Sequence, residues 1–147
     1  KERFKVIPAV YLFLEEDGKI LLLRRFNTGY EDGNYAFVSG HLDGGESCMD
    51  AMVREAREEA GIILRRENLE VVHIMHRRTP LGEINERMDI FIKASEWEGE
   101  IKIMEPNKCD GLGWFSYDAL PENIIPYITS AILNIKKGNF FSEFGWA

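Results

Sequence analysis

The sequence predicts an α/β (α+β) fold in which a mixed β-sheet packs with two amphipathic helices. Short segments rich in β-branched and aromatic residues alternate with Gly-, Asn- and Asp-containing loops, as strands and turns do. Two longer segments, 48–60 and 122–137, repeat apolar residues at the spacing of a helix. The length of 147 residues fits a single domain that spans residues 1–147.

The start of the chain predicts a β-hairpin. Residues 4–15, FKVIPAVYLFLE, have the composition of a strand. Pro8 predicts that this strand lies at a sheet edge or contains a bulge, because proline donates no backbone hydrogen bond. Residues 16–18, Glu-Asp-Gly, form a turn, and residues 19–25, KILLLRR, form the second strand of the hairpin.

Four further strands are predicted, at residues 35–39, 70–78, 86–94 and 111–116. The second and third of them form a hairpin within a mixed sheet, joined by the loop 79–85. His73 and His76 lie three residues apart, hence on opposite faces of a strand, so they are not a joint metal pair. We expect both histidines on the sheet surface. The alternative is that one of them faces a binding pocket, where its imidazole would bind a base or a phosphate. Trp114 is expected in the core.

The first helix is delimited by recognisable capping residues. Ser47 followed by Asp50 is typical of a capping box, so the helix starts near Cys48. Gly61 ends it, as glycine commonly does past the last turn. Met52 lies at the edge of its apolar face, whose members recur at helical spacing. These members are Met49, Val53, Ala56 and Ala60.

The last helix is predicted at residues 122–137. Isoleucines and alanines give it an almost continuous apolar stripe, and Pro126 falls early, where a first turn tolerates proline. The tail that follows, 139–147, is rich in aromatic residues. It either packs onto the core of its own chain or forms a homodimer contact, since aromatic residues are enriched at interfaces.

The face of the first helix opposite the apolar stripe carries Glu55, Glu58 and Glu59. Residues three and four apart are neighbours on a helix, so three carboxylates crowd together and disfavour one another's ionisation. Exposed glutamates are common on solvated helices, but a solvated face does not need this crowding, whereas a hard cation such as Mg²⁺ needs oxygen ligands. Arg54 precedes Glu58 by four residues and pairs with it, which holds that carboxylate in place.

This helix and the turn before it resemble the Nudix box, which reads G, five residues, E, seven residues, then R-E-U-x-E-E-x-G-U with U apolar. The residues that fill its positions are Gly40, Glu46, Arg54, Glu55, Ala56, Glu58, Glu59, Gly61 and Ile62. The resemblance implies a Nudix-type α/β/α sandwich with a mixed β-sheet. It also implies hydrolysis, with Mg²⁺ or Mn²⁺, of a nucleoside diphosphate linked to a group X. Gly44 and Gly45 let the loop bend back.

The resemblance further implies roles for individual residues. Mg²⁺ lies between Glu55, Glu58 and Glu59, with the Gly40 carbonyl and Glu105 as additional ligands. The cation neutralises phosphate charge and lowers the pKa of water, whose proton a carboxylate then takes. Glu55 and Glu105 are both candidates for this base, and Glu105 is alternatively a turn residue. The number of ions is left open.

Residues outside the helix are expected to bind the substrate. Arg24 and Arg25 close a predicted strand, either as a charged strand end or as a phosphate clamp, since guanidinium donors fit phosphate oxygens. In relatives resembling MutT, the second of these positions contacts the nucleotide phosphates, which favours Arg25. Tyr30 and Asn34 either bind a base or belong to loop surface. His41 either reaches a phosphate or stays exposed.

The segment 104–121 narrows the resemblance to one group of Nudix enzymes. Its E-P-x-K-C motif from Glu105 to Cys109, its later W-F and L-P pairs, and the G-H-L of the box resemble Nudix nucleotide triphosphate diphosphatases that act on oxidised and thiopurine nucleotides. This resemblance favours a normal or modified nucleoside triphosphate, hydrolysed to a monophosphate and diphosphate. Two alternatives remain: a Nudix hydrolase of nucleotide sugars, ADP-ribose or dinucleoside polyphosphates, and a nucleotide-binding module without catalysis. The complete set of box carboxylates argues against the last.

Composition and charge exclude other classes of partner. The net charge is −7, from 18 Lys and Arg against 25 Asp and Glu, which argues against a nucleic-acid polymer or an anionic membrane. An anionic small molecule still binds where a metal supplies positive charge. The only cysteines, Cys48 and Cys109, are expected to be free thiols in a reducing, cytoplasmic compartment. The sequence shows no signal peptide and no long apolar run.

Overall fold

The computed structural model describes residues 2–147, which contain nine strands, two α-helices and two short 3-10 helices. The strands are β1 (Ile7–Phe13), β2 (Glu15–Glu16), β3 (Lys19–Arg25), β4 (Tyr35–Ala36), β5 (Val38–His41), β6 (Leu69–Arg78), β7 (Glu86–Ala94), β8 (Cys109–Ser116) and β9 (Phe141–Phe144). The α-helices are α1 (Cys48–Ala60) and α2 (Pro126–Lys137). Neither of these helices, within the described residues, has the length and apolar character needed to cross a membrane.

The strands form two sheets. The larger has the order β5-β1-β7-β6-β9, and in the smaller β3 pairs with β2, β4 and β8. In the larger sheet, β1 is parallel to β7 and antiparallel to β5, while β6 is antiparallel to β7 and parallel to β9. The mixed sheet predicted from the sequence is therefore confirmed.

Strand β1 is buried on both faces because each face packs against a different helix. Alternate residues of the strand belong to the core cluster that includes α2; these are Ala9, Tyr11 and Phe13. The residues between and after them belong to the cluster that includes α1; these are Val10, Leu12 and Leu14. The two helices thus lie on opposite sides of the central sheet, which is the α/β/α arrangement that the box resemblance implied.

Helix α1 begins and ends where its capping residues predict. Ser47 Oγ accepts a hydrogen bond from the Asp50 amide at 3.2 Å. Gly61 ends the helix with a φ of 71°, a left-handed conformation that glycine adopts at little cost. The Asp50 carboxylate accepts a hydrogen bond from Arg66 at 2.6 Å. That contact ties the first turn of α1 to the segment that follows the helix.

The buried face of α1 is rotated relative to the predicted one. Met52, predicted at the edge, is fully buried, and so is Ala51. Met49 and Val53, predicted at the centre, are half-buried. The helix packs against both β5 and β1, so the side directed at those two strands is the one that loses its contact with water.

The N-terminal hairpin is smaller than predicted. Residues 4–15 do not form one strand, because β1 ends at Phe13 and joins the larger sheet, while only β2 pairs with β3. The prediction of an edge or bulge at Pro8 is wrong, since β1 lies between β5 and β7 with a continuous register. Proline is tolerated there because the pairing with β5 begins only at Ala9.

Three other segments have different bounds from those predicted. Residues 35–39 split into β4 of the smaller sheet and β5 of the larger one. The last helix begins at Pro126 instead of 122, because the chain before it pairs with Tyr35: the Ile125 amide donates to the Tyr35 carbonyl at 3.0 Å. Strand β8 begins at Cys109, two residues before the predicted start.

The hairpin predicted at 70–78 and 86–94 is confirmed as β6 and β7. His73 is fully buried and not at the sheet surface, with its ring nitrogens 2.7 Å from the Asn139 carbonyl oxygen and from Ser142 Oγ. Both partners belong to the aromatic tail, which adds β9 to the larger sheet beside β6. The tail therefore packs onto its own chain, and the homodimer contact stays a prediction.

Replacing Met52 by Ala tests the packing of α1 on the sheet. Met52 is fully buried, so Met52→Ala is expected to lower the free energy of unfolding by about 2–5 kcal/mol. Met104 is 44% exposed and serves as the matched control, for which Met104→Ala is expected to cost less than about 1 kcal/mol. Urea denaturation followed by circular dichroism measures both values. Equal losses in the two variants would contradict the packing described above.

Candidate active site

Strand β5 and helix α1 come into contact at the centre of the site. Gly40 on β5 lies against Glu55 of α1, and a Cβ added at Gly40 would be 2.1 Å from Glu55 Cδ. The absence of a side chain at this glycine is what allows the carboxylate to reach the strand. One turn further along the helix, Glu59 Oε1 accepts a hydrogen bond from the Ser39 amide at 3.1 Å. Two carboxylates thus contact successive residues of β5.

Arg54 joins the helix to the turn that precedes it. Its Nη2 and Nε donate to the Glu46 carboxylate at 2.7 and 3.1 Å. Its Nη1 donates to Glu55 at 2.7 Å and to Glu58 at 3.3 Å. The predicted pairing of Arg54 with Glu58 is therefore present, and Glu46 braces the loop by bonding both Arg54 and the Asp43 amide. The hydrogen bonds between Arg54 and Glu46 raise the pKa of the guanidinium and lower the pKa of the carboxyl group, so both remain charged.

Burial changes the acidity of two carboxyl groups of the helix. Burial raises the pKa of Glu59 to about 8, and the neighbouring charges of Glu55 and Glu105 add to the rise. Burial also raises the pKa of Glu55, although the hydrogen bond from Arg54 opposes this effect. Carboxylates that resist joint ionisation are stabilised when positive charge is placed among them. The electrostatics of this cluster therefore suit a cation.

Two cavities meet at Arg25 and Ser39, which line both of them. The larger cavity has a volume of about 440 Å³, and its lining includes Tyr30, Gly40, His41, Arg77 and Tyr127. The smaller cavity has a volume of about 370 Å³, and its lining includes Glu59, Glu105 and Lys108. An extended ligand placed across the boundary would therefore meet a guanidinium at its middle and carboxylates at one end.

Arg25 is held in place by the loop between β3 and β4. Its Nε donates to the Tyr30 carbonyl at 2.7 Å, and its Nη2 donates to Thr28 Oγ1 at 3.0 Å. Asp32 accepts hydrogen bonds from the Thr28 hydroxyl at 2.6 Å and from the Gly29 amide at 2.9 Å. The hydrogen bonds from Thr28, and then that from Gly29, lower the pKa of Asp32. The loop is thus a compact bonded unit that orients the guanidinium.

The floor of the larger cavity is a buried polar network. Arg77 Nε donates to Asp89 Oδ2 at 2.7 Å, and the Tyr11 hydroxyl donates to Asp89 Oδ1 at 3.0 Å. The hydroxyls of Tyr11 and Tyr127 are 3.1 Å apart, and the guanidinium carbon of Arg77 lies 3.7 Å from the centre of the Tyr127 ring. Burial raises the pKa of both phenols, that of Tyr127 to about 12, so both are protonated at neutral pH.

The sequence around this site agrees with a known protein family. The pattern that defines the NUDIX domain matches residues 5–131. The chain belongs to the Nudix family. Its fold agrees as well: the crystal structure of a MutT Nudix hydrolase from Burkholderia pseudomallei superposes with a TM-score of 0.78 at 26% sequence identity. That superposition covers 88% of this chain and 97% of the other.

Two curated relatives share the Nudix domain with this chain. An ADP-ribose pyrophosphatase of Methanocaldococcus jannaschii is 36% identical over 86 residues, which are 57% of this chain and 50% of the relative. A NAD-capped RNA hydrolase of Pseudomonas putida is 30% identical over 119 residues, which are 80% of this chain and 39% of the relative. The chain therefore spans half or less of the length of these relatives.

The structure distributes the predicted site residues over three places. Those that line the larger cavity are Arg25, Tyr30, Gly40 and His41. Those that line the smaller cavity are Arg25, Glu59 and Glu105. Arg54, Glu55 and Glu58 lie on the Nudix helix outside the lining of both cavities, and Glu58 is exposed. The carboxylates of the Nudix helix are thus spread between the wall of the smaller cavity and the solvent side of the helix.

Two residues considered for substrate binding have other partners. Arg24 Nε donates to Asp110 at 2.7 Å, and of the two neighbouring arginines only Arg25 lines the two cavities. Asn34 donates to Glu31 at 2.7 Å, so its amide stabilises the loop. Arg24 is therefore a charged strand end and Asn34 a loop residue, which are the alternatives to substrate binding that the sequence left open.

The sequence analysis did not identify the residues of the buried floor, although the positions of Arg77 and Asp89 in their strands give an indication of it. Arg77 occupies the same strand face as the buried Met75, and Asp89 the same face as the buried Phe91. Opposite charges on the apolar faces of two paired strands indicate a buried ion pair. Tyr127 left no such signal, because its position depends on how α2 docks on the sheet.

The donor set of the Nudix helix fits a hard divalent cation. Glu55, Glu58, Glu59 and the Gly40 carbonyl offer oxygen atoms alone, which Mg²⁺ and Mn²⁺ prefer. In the part of the chain that the structure describes, no three Asp, Glu, His or Cys side chains already converge on one point. The Arg54 guanidinium instead forms ion pairs with both Glu55 and Glu58. A cation would compete with this arginine for those oxygens.

Gly40→Ala tests the contact between the strand and the Nudix helix. The added methyl group would overlap Glu55, so this carboxylate must move, and we expect Mn²⁺ affinity to fall at least about tenfold. Gly113→Ala is the control, because a Cβ there meets nothing within 4 Å. Calorimetric titration with Mn²⁺, together with thermal melting, separates loss of binding from unfolding. If Gly40→Ala binds Mn²⁺ with unchanged affinity, the cation does not need the Glu55 carboxylate in the position that Gly40 permits.

Proposed function

We propose that this Nudix domain hydrolyses a nucleoside triphosphate to the nucleoside monophosphate and diphosphate, with Mg²⁺ or Mn²⁺ as the cofactor. The position of Arg25 at the boundary of both cavities carries this proposal. Glu59 and Glu105 lie on one side of it, and a cavity of about 440 Å³, within the range of small-molecule pockets, lies on the other. A nucleotide across this boundary would place phosphates at the guanidinium and its nucleoside in the larger cavity.

The residues that would hold the cation are Glu55, Glu58, Glu59 and the carbonyl of Gly40. When bound, the cation supplies positive charge for the transferring phosphoryl group and lowers the pKa of water. Arg25 binds phosphate oxygens through its fork of donors, and the bonds to its loop keep that fork oriented before the substrate arrives. Preorganised donors of this kind stabilise developing charge most effectively.

We assign the role of general base to Glu105. Its carboxylate lines the smaller cavity, where its ion pair with Lys108 is long at 3.9 Å, whereas Glu55 is engaged by Arg54 at 2.7 Å. Glu105 takes a proton from the attacking water, the water oxygen bonds to phosphorus, and the bond from phosphorus to the bridging oxygen breaks. The leaving group keeps that bridging oxygen with its electron pair; it is diphosphate if the water attacks the α-phosphorus and the nucleoside monophosphate if the water attacks the β-phosphorus.

A hydrolase of a nucleoside diphosphate linked to another group is the second candidate. The similarity to the relative named ADP-ribose pyrophosphatase, 36% identical over 86 residues, favours it. Hydrolysis of nucleotide sugars, ADP-ribose or dinucleoside polyphosphates would distinguish this candidate from a hydrolase of nucleoside triphosphates. A module that binds nucleotides without cleaving them is the third, and the intact carboxylates of the Nudix helix count against it.

Glu59→Gln is expected to lower kcat by at least about 100-fold while the fold is kept, because it removes one charged oxygen donor and preserves side-chain shape. Glu96→Gln, at an exposed position outside the helices and strands, is the control and should keep full activity. Diphosphate release measures turnover, and the melting temperature reports folding. Near-wild-type turnover in Glu59→Gln would remove Glu59 from the proposed site.

A comparison of Glu105→Gln with Glu55→Gln tests which carboxylate is the base. Loss of the base removes the acidic limb of the pH dependence of kcat, so Glu105→Gln should show a flattened profile. Glu55→Gln should instead weaken Mg²⁺ activation and retain the acidic limb. The reverse assignment follows if the limb disappears in Glu55→Gln only.

A release screen decides among the three candidates. It measures diphosphate and phosphate released from nucleoside triphosphates, nucleotide sugars, ADP-ribose and dinucleoside polyphosphates, with Mg²⁺ and with EDTA. Diphosphate released from triphosphates, lost in EDTA and restored by Mg²⁺, is the expected result. Turnover confined to the other substrates would establish the second candidate. Binding of nucleotides without any turnover would establish the third.

A further inference from the structure

The hydroxyl groups in the floor of the larger cavity have a defined direction of hydrogen bonding. Asp89, paired with Arg77, is a carboxylate and only accepts, so the Tyr11 hydroxyl must donate its single proton to it at 3.0 Å. The 3.1 Å contact between the two tyrosine hydroxyls therefore has Tyr127 as its donor. The oxygen of Tyr127, a residue that lines the cavity, is left with a lone pair that is available to accept a hydrogen bond.

Arg77 lies beside this acceptor and is a fixed donor. Its Nε and Nη2 are engaged by Asp89 and Tyr11, at distances of 2.7 to 3.5 Å. Its Nη1 donates to no other group within residues 2–147. The guanidinium carbon lies 3.7 Å from the centre of the Tyr127 ring, and Nη2 contacts the same Tyr11 hydroxyl that the Tyr127 hydroxyl contacts. The side chain is 8% exposed, and this burial restricts its movement when different ligands bind.

The larger cavity offers no charged acceptor to balance this donor. Asp89 is fully buried behind Arg77 and Tyr11, with both carboxylate oxygens in use. Within the described part of the chain, no Asp, Glu, Asn or Gln side chain lines the cavity, whereas Arg25, Arg77 and Arg87 do. A ligand amino group directed at the floor would therefore face the Arg77 guanidinium without a carboxylate to accept its hydrogens.

We propose that Arg77 and Tyr127 select nucleotides whose base presents a lactam edge, a carbonyl oxygen next to a ring N–H. The inference rests on the proposed function, since it places the nucleoside in the larger cavity. Arg77 donates to the carbonyl oxygen, and the Tyr127 oxygen accepts from the ring N–H. Hypoxanthine and uracil carry this edge. Adenine and cytosine carry the opposite pattern, an amino group next to an unprotonated ring nitrogen, which sets donor against donor and acceptor against acceptor.

Two pairs of nucleotides isolate this single difference. ITP and ATP differ only in the lactam edge against the amino edge, and so do UTP and CTP. Calorimetry with Ca²⁺ in place of Mg²⁺ measures the affinity of the wild-type protein for each nucleotide. We expect ITP to bind at least about tenfold more tightly than ATP, and UTP than CTP, because a mismatch leaves buried polar groups unpaired.

Variants of the floor should abolish this preference. Arg77→Gln combined with Asp89→Asn removes both charges together, which avoids an unpaired buried carboxylate, and both affinity ratios should fall to near one. Tyr127→Phe removes the acceptor alone and should reduce both ratios in part; it keeps the test decisive if the double variant fails to fold. Arg78→Gln is the matched control, because Arg78 is the next residue of β6 but does not line the cavity. It should keep the wild-type ratios.

Failure of this inference differs from failure of the proposed function. Equal affinity within each pair, or a preference that survives both floor variants, would overturn the inference, even if all four triphosphates are hydrolysed. Tighter binding of ITP and UTP that the floor variants abolish supports it, whether or not the nucleotides turn over. A lack of turnover with Mg²⁺ would overturn the proposed function alone.

Discussion

The close approach of helix α1 to strand β5 is the constraint on which the site depends. Gly40 has no side chain, so Glu55 rests directly against the strand, and the Ser39 amide holds Glu59 one turn further along the helix. Arg54 offsets part of the crowded negative charge and ties the helix to the turn before it. Neighbouring glutamates on an isolated helix would repel one another and turn to solvent. The geometry of the site therefore comes from the packing of the helix on the sheet.

Strand β1 links this packing to the substrate cavity. Its two faces lie in different core clusters, one shared with α1 and the other with α2. Residues on the first face support the Nudix helix, while Tyr11 on the second face is part of the cavity floor. A single buried strand thus sets the separation between the carboxylates and the floor, and Arg25 lies at the boundary between the two cavities.

Charge is distributed differently in the two cavities. The smaller cavity combines Glu59 and Glu105 with Arg25 and Lys108, which suits a cation and phosphates together. The larger cavity exposes arginines and hydroxyls, while the carboxylate of Asp89 is buried behind them. A protein with a net charge of −7 therefore presents donors where the nucleoside is proposed to bind. This division arises because the floor pairs its own acid internally, whereas Glu59 of the Nudix helix lines the smaller cavity.

The sequence by itself determined the features that depend on neighbouring residues: the limits of α1, the hairpin of β6 and β7, and the family. Capping, periodicity and box spacing are all local, so they can be recognised without the fold. Tertiary structure alone decided that residues 4–15 divide between two sheets and that the last helix starts at Pro126, since distant strands compete for the same backbone groups. It also decided that Arg77 and Tyr127 share a cavity floor. Their contact exists because α2 packs on the face of the larger sheet that carries Arg77 of β6, which no local pattern encodes.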